Sequence, residues 1–97
     1  MATYISLISF TQKGVENIKE SPSRLAAAKE AFRAFGAELK EFYLVMGQYD
    51  LVVISEAPDD ETAIRLALIV SSGGAVRTET LRAYTEDEYQ KIIDSLP

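Results

Sequence analysis

Residues 42–54 run Phe-Tyr-Leu-Val-Met-Gly-Gln-Tyr-Asp-Leu-Val-Val-Ile, two β-rich segments that flank a Gly47-Gln48 pair. A two-residue hairpin loop that begins with glycine favours a type II′ turn, because glycine reaches positive φ at little cost. Such a turn pairs Leu44 with Leu51 and sets the register of both strands. The sequence therefore predicts a β-hairpin here, with strands over about 37–46 and 49–57.

The predicted register leaves both faces of the hairpin largely apolar. Phe42 and Val53 share one face, while Tyr43, Val52 and Ile54 share the other, which we call the second face. A two-layer domain buries one face of its sheet, and the helices of so short a chain can cover only that face. We therefore expect a second copy of the chain to cover the second face.

Composition limits the class of protein. The 97 residues are 47% hydrophobic and 26% charged, as expected of one soluble globular domain spanning residues 1–97. No secretory signal or long apolar segment is visible, so we expect a cytoplasmic location without membrane contact. The chain has no Cys and no His, so we expect no disulfide, no metal site and no cofactor. The net charge of −5 argues against nucleic acid as a partner.

The remaining segments predict two βαβ units and a final helix. Strands are expected over 2–11 and 75–84, and a connector over 12–20 with a turn of helix at 15–18. Three longer helices are expected: one capped by Ser21 and ending at Gly36, one capped by Asp59 and ending at Gly73, and one after Thr85. Right-handed crossovers then give a ferredoxin-like α+β fold, βαββαβ with an extra C-terminal helix and a four-stranded antiparallel sheet.

Several polar residues fall on the predicted second face, where a partner would cover them. Carboxylates at such a position lie at the rim of an interface or line a cavity. The competing interpretation is structural, with Asp50 bonding local amides and Arg77 pairing with Glu79. The candidate ligand-binding residues are Asp50, Tyr43, Glu41, Arg77 and Tyr49.

A second, weaker candidate lies around the connector and the start of the following helix. Free backbone N-H groups and the helix dipole favour an anion there. A solvated loop whose basic residues balance Glu16 and Glu20 is the competing interpretation, and no phosphate loop is present. The candidate anion-binding residues are Lys13, Asn17, Lys19 and Arg24.

With these residues in view, the chain resembles the GYD domain family, whose Gly-x-Tyr-Asp motif is present as Gly47-Gln48-Tyr49-Asp50. The likeness runs nearly end to end and includes Ser21-Pro22 with Arg24. It implies a dimeric α+β barrel and no established general activity. A looser likeness, in the hairpin and topology alone, is to the effector-binding domain of leucine-responsive bacterial regulators, ferredoxin-like dimers that bind amino acids.

Three functions remain open. We expect a homodimer, or a higher oligomer, that binds a small anionic or aromatic metabolite without catalysis. The first alternative is a cofactor-free or haem-type barrel enzyme such as an oxygenase or isomerase, with Asp50 or Glu41 as base and Tyr43 or Arg77 as polariser. The absence of His disfavours it. The second alternative is a purely structural interaction domain.

Overall fold

The four predicted strands form one antiparallel sheet in the order β2-β3-β1-β4. The computed structural model describes all 97 residues. The strands are β1 (Ala2–Phe10), β2 (Glu38–Leu44), β3 (Leu51–Ala57) and β4 (Val76–Ala83). The predicted ferredoxin-like α+β architecture is confirmed, with β2 and β4 as the edge strands.

Four α-helices and one 3₁₀ turn complete the chain. They are α1 (Gln12–Glu16), the 3₁₀ turn (Ile18–Glu20), α2 (Ser21–Ala34), α3 (Asp60–Ser72) and α4 (Glu86–Asp94). The short helix of the connector begins earlier than the predicted 15–18, because the Thr11 hydroxyl caps it by accepting a hydrogen bond from Gly14 N at 3.2 Å.

The predicted helix boundaries are largely confirmed. Asp59 caps α3 by accepting from Thr62 N at 2.8 Å, and Thr85 forms the predicted capping box with Glu88. Ser21 is not a cap: it is the first residue of α2, because the 3₁₀ turn runs directly into that helix.

The register of the hairpin is as predicted, but its loop is wider. Leu44 pairs with Leu51 as expected, but the prediction of a two-residue loop is wrong. The strands end at Leu44 and Leu51, and a hydrogen bond of 2.9 Å from Val45 N to Asp50 O closes the connection between them. The cause is β1. Asp50 N donates to Ile8 O at 2.9 Å and its carboxylate accepts from Phe10 N at 2.9 Å, which holds Asp50 against β1.

Gly47 adopts φ +111° in this loop, and a Cβ added there would have no atom within 4 Å. Its replacement by Ala is therefore expected to cost only conformational strain, about 1 kcal/mol or more, and to lower the melting temperature by about 4–8 °C per kcal/mol. Gly73→Ala is the matched control, since Gly73 has φ −70° and only one atom near its Cβ, at 3.9 Å. Equal melting temperatures of the two variants would contradict this assignment.

The buried residues between helices and sheet form two clusters rather than one. One contains Tyr4, Ala57 and Leu66, and the other contains Ile8 and Val53. No residue of α2 is fully buried, whereas α3 buries three, in line with the more apolar sequence of α3. The helical layer therefore covers the sheet incompletely.

The opposite side of the sheet, the second face, has no covering layer within the chain. Tyr43 is 50% exposed and Leu81 45% exposed there. Helix α4 is also unpartnered, since it makes no extensive contact with another element. Its exposed apolar side chains are Tyr89, Ile92 and Ile93, and the exposed Leu96 follows just after the helix. None of the helices is both long and apolar enough to cross a membrane.

Candidate functional site: a cleft between helices and sheet

An apolar cleft of about 320 Å³ lies between the sheet and the two helices α2 and α3. Twenty of its 28 lining residues are hydrophobic. Leu25 and Phe32 line it from α2, Leu66 and Val70 from α3, and Val53 from the sheet. This volume is at the lower end of the range for ligand pockets, roughly 300–1,000 Å³.

Small side chains keep this space open. The two helices face the cleft through alanines, and well-packed protein interiors leave few voids larger than a water molecule. A void of this size between two clusters of core residues therefore has room for a molecule other than water. The alanines on the two helices are Ala27, Ala28, Ala31, Ala63 and Ala67.

The polar part of the lining is small. Six serine and threonine residues contribute to it, and three of them bond one another: Thr80 Oγ1 lies 3.1 Å from Ser6 Oγ and 3.2 Å from Thr78 Oγ1. The others are Ser21, Ser55 and Ser72. Only one lining residue carries a formal charge, Arg24.

Arg24 extends from the first turn of α2, and its guanidinium makes one hydrogen bond. Nη1 donates to the backbone oxygen of Asn17 at 3.0 Å. Nη2 is buried without a hydrogen-bond partner, and Arg24 is in no ion pair. A buried unpaired donor of this kind costs about 1–3 kcal/mol, and more when it is charged.

The connector that holds Arg24 is itself anchored to the end of α3. Thr11 Oγ1 donates to Gly74 O, and Lys13 Nζ donates to Gly73 O at 3.0 Å. Gly14 lies so close to β4 that a Cβ there would be 2.0 Å from Ala75 O. The carbonyl of Asn17 is thereby fixed relative to the cleft.

Tyr4 also lines the cleft, and its phenol is held by acidic and basic neighbours. The hydroxyl donates to Asp60 Oδ1 at 2.5 Å, and the Arg82 guanidinium lies 5.7 Å from the ring centroid and 3.9 Å from the same carboxylate. Burial, followed by the hydrogen bond to Asp60, raises the pKa of Tyr4 to about 12.

We expect Tyr4 to ionise late in an alkaline titration of the folded protein. Because its folded pKa lies above the unfolded value of about 10, its contribution to stability is complete below pH 10 and is lost between about pH 10 and 12. Ultraviolet titration of the tyrosinates should show a late step near pH 12 that Tyr4→Phe removes. If Tyr4→Phe removes an early step near pH 10 instead, the phenol is not held as described.

The predicted residues of the second face do not surround a cavity within one chain. Tyr43 donates to Glu41 Oε2 at 2.7 Å, and Tyr49 donates to Glu79 Oε2 at 2.7 Å; each hydrogen bond raises the pKa of its tyrosine. The Asp50 carboxylate accepts from Phe10 N of β1, which is a structural role, although the amide lies on the neighbouring strand and not in the local segment expected. Arg77 is exposed and in no ion pair. Their role in ligand binding stays a prediction that requires a partner chain.

The predicted anion-binding residues are also largely engaged. Asn17 Nδ2 donates to Lys13 O at 3.0 Å, the Lys13 ammonium is held by Gly73 O, and Lys19 is exposed. Only Arg24 of this group lines the cleft. The sequence patterns pointed to the other side of the sheet and not to the cleft, because the alanines of α2 do not by themselves indicate a gap in the packing.

Two comparisons place the chain among known sequences. Residues 4–93 match the model of the GYD domain. A protein of Thermus thermophilus, named glutamine synthetase and cystathionine beta-lyase binding protein, is 38% identical over 84 residues, which are 86% of this chain and 88% of that protein.

Solved structures agree on the fold. TTHA0845 from Thermus thermophilus is similar with a TM-score of 0.56 at 30% sequence identity. The match covers 88% of this chain and 95% of that protein. A feast or famine regulatory protein of Mycobacterium tuberculosis, complexed with L-methionine, has a TM-score of 0.66 at 16% identity over 89% of this chain. The chain spans 54% of that regulator, so the likeness is one of fold. By sequence, the chain belongs to the GYD domain family.

Proposed function

We propose that this chain is a homodimeric binding domain that holds a small, mainly apolar metabolite in the cleft between its helices and its sheet. The observation that carries the proposal is the cleft itself, which is large enough for a ligand and lined mostly by hydrophobic residues. Burial of apolar ligand surface there gives roughly 25 cal/mol per Å², the main source of affinity in a pocket of this kind.

The lining supports binding rather than acid–base catalysis. Its ionisable side chains are Arg24 and Tyr4, and the pKa of Tyr4 is raised to about 12. General acid–base catalysis works best when a group titrates near the working pH, and the Tyr4 phenol does not do so near neutrality.

Two apolar surfaces support the homodimer. The second face carries Ile5, Leu7, Val52 and Ile54, each only half-buried in the single chain. Helix α4 adds a further apolar face with no partner in its own chain. We expect a second copy to cover these surfaces, in an interface of the roughly 1,200 Å² or more that stable association requires.

A cleft-filling variant tests the proposed function. Ala28 lines the cleft from α2, whereas Ala26 lies on the exposed side of the same helix. Ala28→Phe should occupy part of the cleft and abolish binding of 1-octanol, used as a small apolar probe and measured by calorimetry. Ala26→Phe should bind it like the wild type. The proposal fails if the wild type does not bind 1-octanol or if folded Ala28→Phe binds it unchanged.

A second candidate function is docking on a metabolic enzyme. It is favoured by the name of the Thermus thermophilus relative and by an apolar patch on the outer side of α3, where Ile64 is 61% and Leu68 66% exposed. Binding to purified glutamine synthetase and cystathionine beta-lyase should then be lost in Ile64→Asp and retained in Ser23→Asp, a change at an exposed residue of α2. Unchanged binding by folded Ile64→Asp would exclude the α3 patch.

A further inference from the structure

We infer that the ligand of the cleft is a monocarboxylate with an apolar body, and that the guanidinium of Arg24 holds its carboxylate. This inference rests on the proposed function and names the chemical class of the ligand. It uses two observations together, the apolar cleft and the single charge that lines it.

The unused donor of Arg24 indicates the polar end of the ligand. Nη1 is fixed by the carbonyl of Asn17, so the plane of the guanidinium is oriented, while the buried Nη2 has no acceptor in the protein. A carboxylate is the acceptor that matches this group best, because its oxygens form short, charge-assisted hydrogen bonds with guanidinium nitrogens. A ligand carboxylate bound to Arg24 would accept a hydrogen bond from Nη2. It would also neutralise the guanidinium, which forms no ion pair with a carboxylate of the protein.

The rest of the lining limits the charge of the ligand. No Asp or Glu is among the 28 lining residues, so a ligand ammonium in the cleft would have no anionic partner. An uncompensated buried charge costs several kcal/mol. Amines are therefore excluded as ligands. α-Amino acids are disfavoured because their carboxylate would pair with Arg24 but their ammonium would have no partner. A single guanidinium balances one negative charge, which favours a monocarboxylate over a phosphate dianion.

The remainder of the ligand must be apolar. Leu25, Phe32, Leu66 and Val70 form the walls that a ligand body would contact, and no charged group other than Arg24 lies among them. A short aliphatic chain or a single aromatic ring suits a cleft of about 320 Å³, near the lower limit for ligand pockets.

Three probes with the same apolar body test the inference: octanoate, 1-octanol and octylamine. We expect the wild type to bind octanoate at least about tenfold more tightly than 1-octanol and not to bind octylamine measurably, because a hydrogen bond to a charged group contributes about 1.5–3 kcal/mol. Arg24→Gln should weaken octanoate binding at least about tenfold and change 1-octanol binding less than about twofold. Calorimetry on the full chain gives each constant.

Arg33→Gln is the matched control, since Arg33 lies on the exposed side of α2 and pairs with Glu30. It should bind all three probes like the wild type. Arg24→Lys keeps the positive charge but lacks the planar pair of donors, so it should give an octanoate affinity between those of the wild type and Arg24→Gln. Such partial binding would show that Arg24→Gln loses affinity because it loses the charge and not because it fails to fold.

The outcomes separate the two proposals. If 1-octanol binds the wild type as tightly as octanoate, or if Arg24→Gln leaves octanoate binding unchanged, the inference about the carboxylate is wrong while the cleft remains a binding site. If the wild type does not bind 1-octanol, the proposed function itself fails.

Discussion

Gly14→Ala is expected to lower the melting temperature by at least about 12 °C. A Cβ at this position would lie 2.0 Å from Ala75 O, 3.0 Å from Ala75 C and 3.4 Å from Ala75 Cα, all backbone atoms that cannot rotate away. Overpacking costs typically about 1–3 kcal/mol even where side chains can yield, so we place this backbone clash at about 3 kcal/mol or more. At 4–8 °C per kcal/mol, roughly 12–24 °C follows.

The clash also predicts which part of the molecule responds. Displacement of α1 from the segment between α3 and β4 would break the hydrogen bonds of Thr11 to Gly74 O and of Lys13 to Gly73 O. Amide hydrogen exchange should therefore increase first over residues 11–20. Gly73→Ala, whose Cβ would meet only Val70 O at 3.9 Å, should melt within about 2 °C of the wild type. Similar melting temperatures for the two variants would show that α1 does not pack on the segment between α3 and β4 as described.

Val52→Asp is expected to convert a dimer into a folded monomer. Val52 lies on the second face and is half-buried in the single chain, so a carboxylate there is tolerated by the monomer but would be buried without a partner in a face-to-face dimer. Leaving a buried charge unpaired costs about 3–5 kcal/mol, which weakens association at least about a hundredfold. Sedimentation velocity at micromolar concentration should show a dimer for the wild type and a monomer for the variant.

Ser23→Asp provides the control for an added carboxylate, because Ser23 is exposed on α2, away from the second face. It should sediment like the wild type. Far-ultraviolet circular dichroism should be the same for both variants. A dimeric Val52→Asp, or a monomeric wild type, would rule out the face-to-face arrangement.

The fold could be predicted from the sequence because local signals and hydrophobic periodicity agreed. Asp59, Gly36 and the Thr85–Glu88 pair lie at helix boundaries as expected, and Leu44 pairs with Leu51, the register expected from a turn centred on Gly47-Gln48. The loop of the hairpin was mispredicted because its geometry depends on hydrogen bonds to β1 that no local pattern reveals.

The site could not be predicted in the same way. A cleft is unfilled space between elements that are far apart in the sequence. Its existence depends on how α2 and α3 pack on the sheet and not on any sequence motif. Arg24 was singled out near the connector, but as one of four residues around an anion rather than as the only charge in an apolar cleft. The carboxylates of the second face attracted attention because an unpaired charge on an apolar face is visible in sequence, whereas alanines that leave a gap are not.

The most direct test of the central claim is methyl NMR of the wild type titrated with 1-octanol. We predict shifts confined to methyl groups of the cleft, which are those of Leu25, Ala28, Leu66 and Val70. The methyl groups of the second face, Ile5, Leu7, Val52 and Ile54, should not move. Shifts confined to the second face, with the cleft unaffected, would contradict a ligand site in the cleft and place the ligand where Asp50 and Tyr43 were first expected to bind it.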